Sequence, residues 1–336
     1  MVRCMSHILV TGGAGFIGSH LVEALLYRGD TVAVIDDEST GSFQNLAGVE
    51  DHPNLQLYRG SVATWDLLPR AISEADAVYH FAAAVGVALI AKSAIRTIET
   101  NIAPTQRLLA ELARAHAAGH SVKWFLASTS EVYGKNPKPR WTEEDDLVLG
   151  ATLRPRWSYG ASKAIDEFLA LAHWQEQGVP VVVGRLFNVV GPRQVGDYGM
   201  VLPRFVDAAL AGRPLVVHDD GQQQRSFAHV AEVVEAIVRL MDCDAAVGQV
   251  FNIGSDQPVT ILDLARRVIR QVDPNLAVVF QSYLDAYGRQ FEDCRHRVPD
   301  LTRLREAVGF APGGDLDAMI EEVVAWRRGV RERAVR

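Results

Sequence analysis

A tyrosine and a lysine four residues apart are the pair in this 336-residue chain whose types and spacing most directly allow chemistry. They stand in the segment Ser158-Tyr-Gly-Ala-Ser-Lys163, and on a helix both side chains would share one face. A phenol is a poor base at its ordinary pKa of about 10. A neighbouring ammonium group stabilises the phenolate and lowers that pKa. We therefore expect Tyr159 to transfer a proton and Lys163 to support it.

A glycine-rich turn near the start of the chain predicts a phosphate-binding site. The segment Thr11-Gly-Gly-Ala-Gly-Phe-Ile-Gly18 follows an apolar run at 7–11 and opens a helical pattern. Gly12 permits a tight turn, Gly15 lets the backbone approach a pyrophosphate, and Gly18 lets the helix pack closely. The helix N-terminus would then direct N–H groups and a positive dipole end at the phosphates.

Two aspartates, Asp36 and Asp37, end the next predicted strand about 20 residues after the glycines. A carboxylate there accepts hydrogen bonds from both hydroxyls of an adenosine ribose and repels a 2′-phosphate, which favours NAD over NADP. Proton removal by Tyr159 would then accompany hydride transfer to NAD, whose positive nicotinamide ring would join the ammonium of Lys163 in stabilising the phenolate. The predicted cofactor-binding residues are Gly12, Gly15, Phe16, Ile17, Gly18, Asp36, Asp37, Ser61, Val62, Ala82, Ala83, Asn101, Tyr159 and Lys163.

Strand and helix signals alternate through the first half of the chain, which predicts an α/β fold with a Rossmann-type, doubly wound parallel sheet. After Phe187 glycine, proline and polar residues become dense. We expect an NAD-binding domain at 1–185 and a smaller, mainly substrate-binding domain at 186–336, from which one strand could return to the first sheet.

Composition and charge exclude several classes of protein. The net charge is −7 and the main body has no basic cluster, which disfavours nucleic-acid binding. No apolar run approaches the roughly 20 residues that span a bilayer. Cys4, Cys243 and Cys294 are far apart, so we expect free thiols, no metal site and a cytoplasmic location. The arginine-rich stretch 327–336 continues a helical pattern and is expected to be solvated.

Further segments complete a pattern that begins with the glycine motif, Asp36 and the Tyr159/Lys163 pair. They are Ala127-Ser-Thr-Ser-Glu-Val-Tyr-Gly134, Gly184-Arg-Leu-Phe-Asn-Val-Val-Gly-Pro-Arg193 and Asp220-Gly-Gln-Gln-Gln-Arg-Ser-Phe227. Together, over nearly the whole chain, these motifs resemble the extended short-chain dehydrogenase/reductase family, whose members act on nucleotide-linked sugars with NAD.

The resemblance implies roles for single residues. Thr129 would hydrogen-bond the C4 oxygen of the sugar, Asn188 would contact the diphosphate, and Arg225 would neutralise it. A planar, permanently charged guanidinium suits the last task. Ser61 departs from the pattern, because many relatives have an acidic residue there that contacts the adenine. The resemblance also implies a homodimer built on the helices at 92–118 and 156–177.

The choice of sugar chemistry depends on Glu131. An acid beside C5 and C6 implies a step beyond hydride transfer, either elimination or decarboxylation. The segments Asp146–Gly150, Pro155–Tyr159, Ala286–Asp293 and Arg295–Asp300 resemble UDP-glucuronic acid decarboxylases and UDP-apiose/xylose synthases. In that group an arginine matching Arg297 lies against the substrate carboxylate.

A chemical argument fits this resemblance. Oxidation of UDP-glucuronic acid at C4 gives a β-keto acid, which loses CO₂ readily because the electrons flow into an enolate oxygen. Thr129 and Tyr159 would stabilise that oxygen. Arg297 would position the carboxylate, while Ser130 and Glu131 would manage protons near C5. The product would be a UDP-4-keto-pentose, or UDP-xylose if the hydride returns.

Other functions stay open from the sequence. Nucleotide-sugar 4,6-dehydratases also need the glutamate, but commonly have an aspartate where Ser130 stands; GDP-mannose dehydratases resemble the Thr-Ser-Glu arrangement found here. A C4-epimerase is the third candidate, and the segment Ala84-Val-Gly-Val87 is not typical of decarboxylases. From a different class, the chain could be a non-catalytic, NAD-sensing binding protein.

Overall fold

The computed structural model describes residues 5–83, 93–196, 200–287 and 292–335. Up to Leu186, strands and helices alternate: β1 (His7–Thr11), α1 (Phe16–Tyr27), β2 (Thr31–Asp36), β3 (Leu55–Arg59), α2 (Leu68–Glu74), β4 (Ala77–His80), α3 (Ala94–Ala117), β5 (Lys123–Thr129), α4 (Ser158–Gln177) and β6 (Val181–Leu186). The later elements are β7 (Asn188–Val190), α5 (Val201–Leu210), β8 (Leu215–His218), β9 (Gln224–His229), α6 (Val230–Asp242), β10 (Gln249–Ile253), β11 (Pro258–Thr260), α7 (Ile261–Val272), β12 (Val278–Gln281), α8 (Tyr283–Tyr287), β13 (His296–Arg297), α9 (Thr302–Val308) and α10 (Leu316–Val335).

Seven parallel strands form the central sheet, in the order β10-β6-β5-β4-β1-β2-β3. Three consecutive valines of β6, at 181–183, are fully buried. A parallel sheet that is covered on both faces requires such unbroken apolar runs, because side chains on both faces meet helices. The predicted α/β fold with a doubly wound parallel sheet is confirmed.

Helices cover the two faces of the sheet separately. On one face, Leu25 of α1 and Ile237 of α6 join a buried cluster with Val10 of β1. On the other face, Leu109 of α3 packs in a second cluster with Leu9 of β1, and α2 and α4 join it there. The alternation of Leu9 and Val10 between clusters follows from the two-residue period of a strand.

The chain after residue 186 builds a second group of elements. Strand β9 pairs with β7, β11 and β13, and β8 pairs with β12. Helices α5, α7 and α10 enclose a separate buried cluster that includes Phe205, Leu264 and Ile320. Strand β10 leaves this group and pairs with β6 at the edge of the central sheet. The domain division at residue 185 stays a prediction.

His80 fixes the carboxyl end of β4 against its neighbours. The imidazole is buried, with Nδ1 2.7 Å from Oγ1 of Thr11 and Nε2 3.1 Å from Oγ1 of Thr105. Burial, and the positive charge of Lys163, lower the pKa of His80 to about 3. The ring is therefore neutral, and it holds β1, β4 and α3 together beside the glycine turn.

Two expectations from composition can be compared with the fold. Cys243 and Cys294 are free cysteines, whereas Cys4 and the segment 84–87 lie outside the described residues, as does part of the segment 286–293. Over the described ranges, no helix combines the length and the apolar character that crossing a membrane requires.

Candidate active site

A cavity of about 660 Å³ opens at the carboxyl edge of the central sheet. In open α/β sheets this edge is where ligands bind. The cavity extends from the glycine turn after β1, past Thr129 at the end of β5, to Arg225 and Arg297 on the paired strands β9 and β13. Elements from both parts of the chain therefore share one cavity.

The glycine turn has the shape that a dinucleotide pyrophosphate requires. Gly12 has a φ of +72°, and a Cβ there would lie 2.6 Å from the backbone nitrogen of Ala82. A Cβ on Gly18 would lie 2.2 Å from the carbonyl oxygen of Gly12, so the close packing needs glycine. Helix α1 starts at Phe16 with Gly15 as its N-cap, and no side chain caps its first turn. The helix N-terminus is thus left to an anion.

Asp36 lies at the end of β2 and lines the same cavity. Its carboxylate accepts hydrogen bonds from the backbone N–H groups of Ala14 (3.0 Å) and Glu38 (2.8 Å). Burial raises the pKa of Asp36, and these two N–H donors oppose that rise. Asp37 is exposed and accepts from the N–H of Ser39. Asp36 therefore fixes the glycine turn and also faces the cavity. This position suits a carboxylate that accepts hydrogen bonds from a ribose.

Most of the other predicted cofactor residues lie on the cavity wall: Phe16, Ile17, Ser61, Val62, Ala82 and Ala83. Ser61 uses its hydroxyl to accept a hydrogen bond from the N–H of Ala63. Asn101 is different, because its buried Nδ2 donates to Oγ of Ser162 at 2.9 Å and so ties α3 to α4. A direct contact of Asn101 with the cofactor stays a prediction.

Tyr159 lies in the first turn of α4, beside Thr129 on the cavity wall. Burial raises the pKa of the Tyr159 phenol, and the negative charge of Glu131 adds to that rise. A hydrogen bond from the Thr129 hydroxyl opposes both effects only in part. The phenol is therefore protonated in this structure, whereas the predicted lowering of its pKa, which also needs the positive nicotinamide ring of NAD, stays a prediction.

The position of Lys163 explains the difference. Its Nζ lies 2.9 Å from Oδ2 of Asp166, and both side chains are almost completely buried. The carboxylate offsets the charge of the ammonium that was expected to stabilise the phenolate. The sequence places Asp166 three residues after Lys163 on the same helix, so the pairing was open to prediction.

Glu131 is held between two arginines. It lies in the 3-10 turn Ser130–Tyr133 that follows β5, and its carboxylate is 2.5 Å from Nη1 of Arg156 and 2.5 Å from Nη1 of Arg297. Burial alone would raise the pKa of Glu131, but the two guanidinium groups hold it well below its usual range. Glu131 is therefore a paired carboxylate in this state, not a free acid.

A second ion pair adjoins this cluster. Nη2 of Arg225 lies 2.8 Å from Oδ2 of Asp293, and Oδ1 of Asp293 lies 3.7 Å from Arg297. Burial would raise the pKa of Asp293, but Arg225 and Arg297 outweigh it and lower that pKa. Asn188, at the start of β7, donates to the carbonyl of Ser226. Contacts of Arg225 and Asn188 with a diphosphate stay predictions.

The cavity wall includes residues that were not predicted as site residues, among them Arg156, Asp293 and Trp326. Arg156 and Asp293 lie within segments that carried the family resemblance, but only their spatial neighbours show their importance. Trp326 belongs to α10, whose arginine-rich end was expected to be solvated. That expectation is wrong for Arg327, whose Nε donates to Asp207 of α5 at 2.7 Å and thereby holds α10 over the cavity.

Comparisons with known proteins agree with this geometry. A family model described as the NAD dependent epimerase/dehydratase family matches residues 8–254. A UDP-N-acetyl-alpha-D-glucosaminuronate decarboxylase from Bacillus cytotoxicus is 36% identical, over 96% of this chain and 98% of that protein. UDP-glucuronic acid decarboxylase 2 from Arabidopsis thaliana is 35% identical, over 91% of this chain and 64% of that protein.

Among solved structures, a Tyr-to-Phe mutant of UDP-glucuronic acid 4-epimerase from Bacillus cereus was determined with NAD and a fluorinated UDP-glucuronic acid. It has a TM-score of 0.83 and 26% identity, and the alignment covers 96% of this chain and 99% of that one. The motifs, the fold and these relatives agree: the chain is an enzyme of the NAD dependent epimerase/dehydratase family.

Proposed function

We propose that this enzyme oxidises C4 of a UDP-linked hexuronic acid and removes its carboxyl group as CO₂. One observation carries the proposal: a carboxylate, that of Glu131, is held by Arg156 and Arg297 on the cavity wall that also presents Thr129 and Tyr159. Arginine pairs bind planar carboxylates well, because their fork of N–H donors matches two oxygens. The named decarboxylases among the relatives support this choice.

The first step is oxidation at C4. When bound, NAD supplies the hydride acceptor and a positively charged ring. The positive charge of that ring, together with Lys163, would lower the pKa of Tyr159 so that the phenolate forms. As the phenolate, Tyr159 would take the proton of the C4 hydroxyl while the hydrogen on C4 passes as hydride to the cofactor, so that C4 becomes a ketone. Thr129 would donate a hydrogen bond to the C4 oxygen. The positive charge of Lys163 would stabilise the phenolate of Tyr159, and Asp166 would pair with Lys163.

The second step is loss of the carboxyl group. The C5–C6 bond breaks, its electron pair passes into the enolate of the C4 ketone, and C6 leaves as CO₂. Thr129 and Tyr159 would stabilise the enolate oxygen, and Arg297 would orient the carboxylate beforehand. A proton must then return to C5, and Ser130 and Glu131 would carry out that transfer.

The remaining cavity residues would bind the two nucleotides. The glycine turn and Asp36 suit the pyrophosphate and adenosine ribose of NAD. Arg225 and Asn188, at the opposite end of the cavity, would meet the substrate diphosphate. The chain from 1–185 would thus bind mainly the cofactor, and that from 186–336 mainly the substrate.

The experiment that tests the proposal is incubation of the purified enzyme with NAD and either UDP-glucuronic acid or its 2-acetamido analogue, followed by mass spectrometry. We expect a product that is lighter by one CO₂, and its redox level will show whether the hydride returns. A product of unchanged mass would indicate epimerisation, and loss of water from a neutral UDP-hexose would indicate dehydration. Tight NAD binding without turnover of any nucleotide sugar would indicate an NAD sensor.

We also infer a homodimer from an apolar surface on the paired helices α3 and α4. Ile95 and Ile98 of α3 are 73% and 40% exposed, and Ile165 and Phe168 of α4 are 45% and 69% exposed. Each pair is spaced by three residues, so its side chains share one helix face. Apolar patches of this kind mark protein interfaces. A cytoplasmic, reducing compartment would suit the free thiols of Cys243 and Cys294.

Substitution of Phe168 by glutamate is expected to convert the dimer to a monomer, because it buries a charge in the interface. Sedimentation velocity will measure the change. The matched control is Tyr27→Glu, which replaces another exposed aromatic residue (82% exposed) on α1, outside the patch. A wild-type enzyme that sediments as a monomer would contradict the dimer.

A further inference from the structure

Each of the two arginines that hold Glu131 has a hydrogen-bond donor without a partner in the part of the chain that the structure describes. The Nε atoms of Arg156 and Arg297 are buried and have no acceptor among the described residues. Arg156 is 6% exposed and Arg297 12% exposed, yet both line the cavity. A buried donor without an acceptor destabilises the protein, so natural structures keep few of them. These two donors therefore indicate a ligand that brings acceptor oxygens.

The charges of the same cluster also point to an anion. The cluster consists of Arg156, Arg225, Arg297, Glu131 and Asp293, which are linked by ion pairs. Three positive and two negative groups leave a net charge of +1. An uncompensated charge is unfavourable in a buried setting. One further carboxylate would neutralise the cluster.

From these two observations, and resting on the proposed function, we infer that Glu131 occupies the subsite of the substrate carboxylate. The carboxylate of the sugar displaces Glu131 and takes over both Arg156 and Arg297, including their unused Nε donors. Arg156 is then a second residue that recognises the carboxylate, alongside Arg297. Glu131 acts as a competitor that is built into the chain.

The exchange has consequences for both halves of the reaction. Once displaced, Glu131 loses the ion pairs that keep it a weak base, so it becomes able to take up a proton from solvent and to give that proton to C5 after CO₂ has left. After CO₂ leaves, the product has no carboxylate to hold the arginines, and Glu131 returns to them. Return of Glu131 would favour release of the product over renewed binding of it.

The test is a measurement of affinity under conditions without turnover. Isothermal titration of the enzyme loaded with NADH, which cannot accept a hydride, will compare UDP-glucuronic acid, UDP-glucose and UDP. Glu131→Gln is expected to bind UDP-glucuronic acid about tenfold more tightly than the wild type, since an ionic competitor has been removed. Its affinities for UDP-glucose, UDP and NADH are expected to stay within about twofold.

Two further variants keep the inference testable. Glu292→Gln is the matched control, because Glu292 contacts Lys135 and Trp157 outside the cluster, and its affinities are expected to equal those of the wild type. Arg156→Ala is expected to lose affinity for UDP-glucuronic acid about tenfold or more while that for UDP-glucose stays unchanged. It decides the matter if Glu131→Gln fails to fold.

Specific outcomes overturn the inference. Glu131→Gln that binds NADH and UDP normally but UDP-glucuronic acid no more tightly than the wild type would overturn it. So would an equal effect of Arg156→Ala on both nucleotide sugars. Selective binding without release of CO₂ by the wild type would contradict decarboxylation and leave the exchange standing. Release of CO₂ by the wild type without tighter binding by Glu131→Gln would support decarboxylation and overturn the exchange.

Discussion

Replacement of Tyr159 by phenylalanine is expected to lower the turnover number by about 10²- to 10⁴-fold, the usual contribution of a general acid–base group. The phenyl ring keeps the buried volume, so the affinity for NAD should stay within about twofold. Product formation will be followed by mass spectrometry, and NAD binding by titration calorimetry. The effect should appear in the oxidation step, before any CO₂ is released.

Tyr79→Phe is the control for this substitution. Tyr79 is also a buried tyrosine, but it lies in β4 within the core beneath α1 and is not part of the cavity wall. Its turnover should equal that of the wild type. Near-normal turnover by Tyr159→Phe would mean that another group removes the C4 proton, and Thr129 would be the first candidate.

Replacement of Arg297 by alanine is expected to lower kcat/KM for UDP-glucuronic acid by about 10²-fold or more, because a buried partner of a charged group is lost. The affinity for neutral UDP-glucose should change by less than about twofold, since no contact to the carboxylate is involved. Steady-state kinetics with the acid and titration with the neutral sugar will separate these two effects.

Arg295→Ala is a matched control two residues away. Arg295 is 59% exposed and pairs with Asp220 at the surface, so its loss should leave both measurements unchanged. Equal losses for the acidic and neutral sugars in Arg297→Ala would assign Arg297 to general packing of the cluster. Thermal unfolding of the same variant is needed, because Arg156 is then the remaining ion-pair partner of Glu131 among the described residues.

The sequence predicted the central sheet well because its signals are local. The apolar run at 7–11 forms strand β1 with those same bounds. The sequence predicted that one strand could return to this sheet, but not that β10 would take the edge beside β6, since that edge is chosen by packing between distant segments. The strands β9 and β13 were also missed, because β9 follows a stretch dense in glycine and proline and β13 has two residues, and pairing with neighbours stabilises both strands.

The sequence identified many residues of the candidate site, but not the ion pairs between them or the pKa values that result. Glu131 was expected to handle protons and Arg297 to hold a carboxylate, and the structure joins them to each other in an ion pair. The pKa of Tyr159 rises because its surroundings exclude water, and burial of this kind depends on the whole fold. Neither property can be read from spacing along the chain.

The pairing of β9 with β13 fixes the distance between two arginines of the cavity wall. Arg225 and Arg297 are direct partners in this parallel pair, and neighbouring strands are about 4.8 Å apart. The backbone ladder therefore sets the separation between the residue proposed for the diphosphate and the residue proposed for the carboxylate. Sugars would be selected by the length between their two acidic ends, and a slip of one residue in this ladder would turn Arg297 out of the cavity.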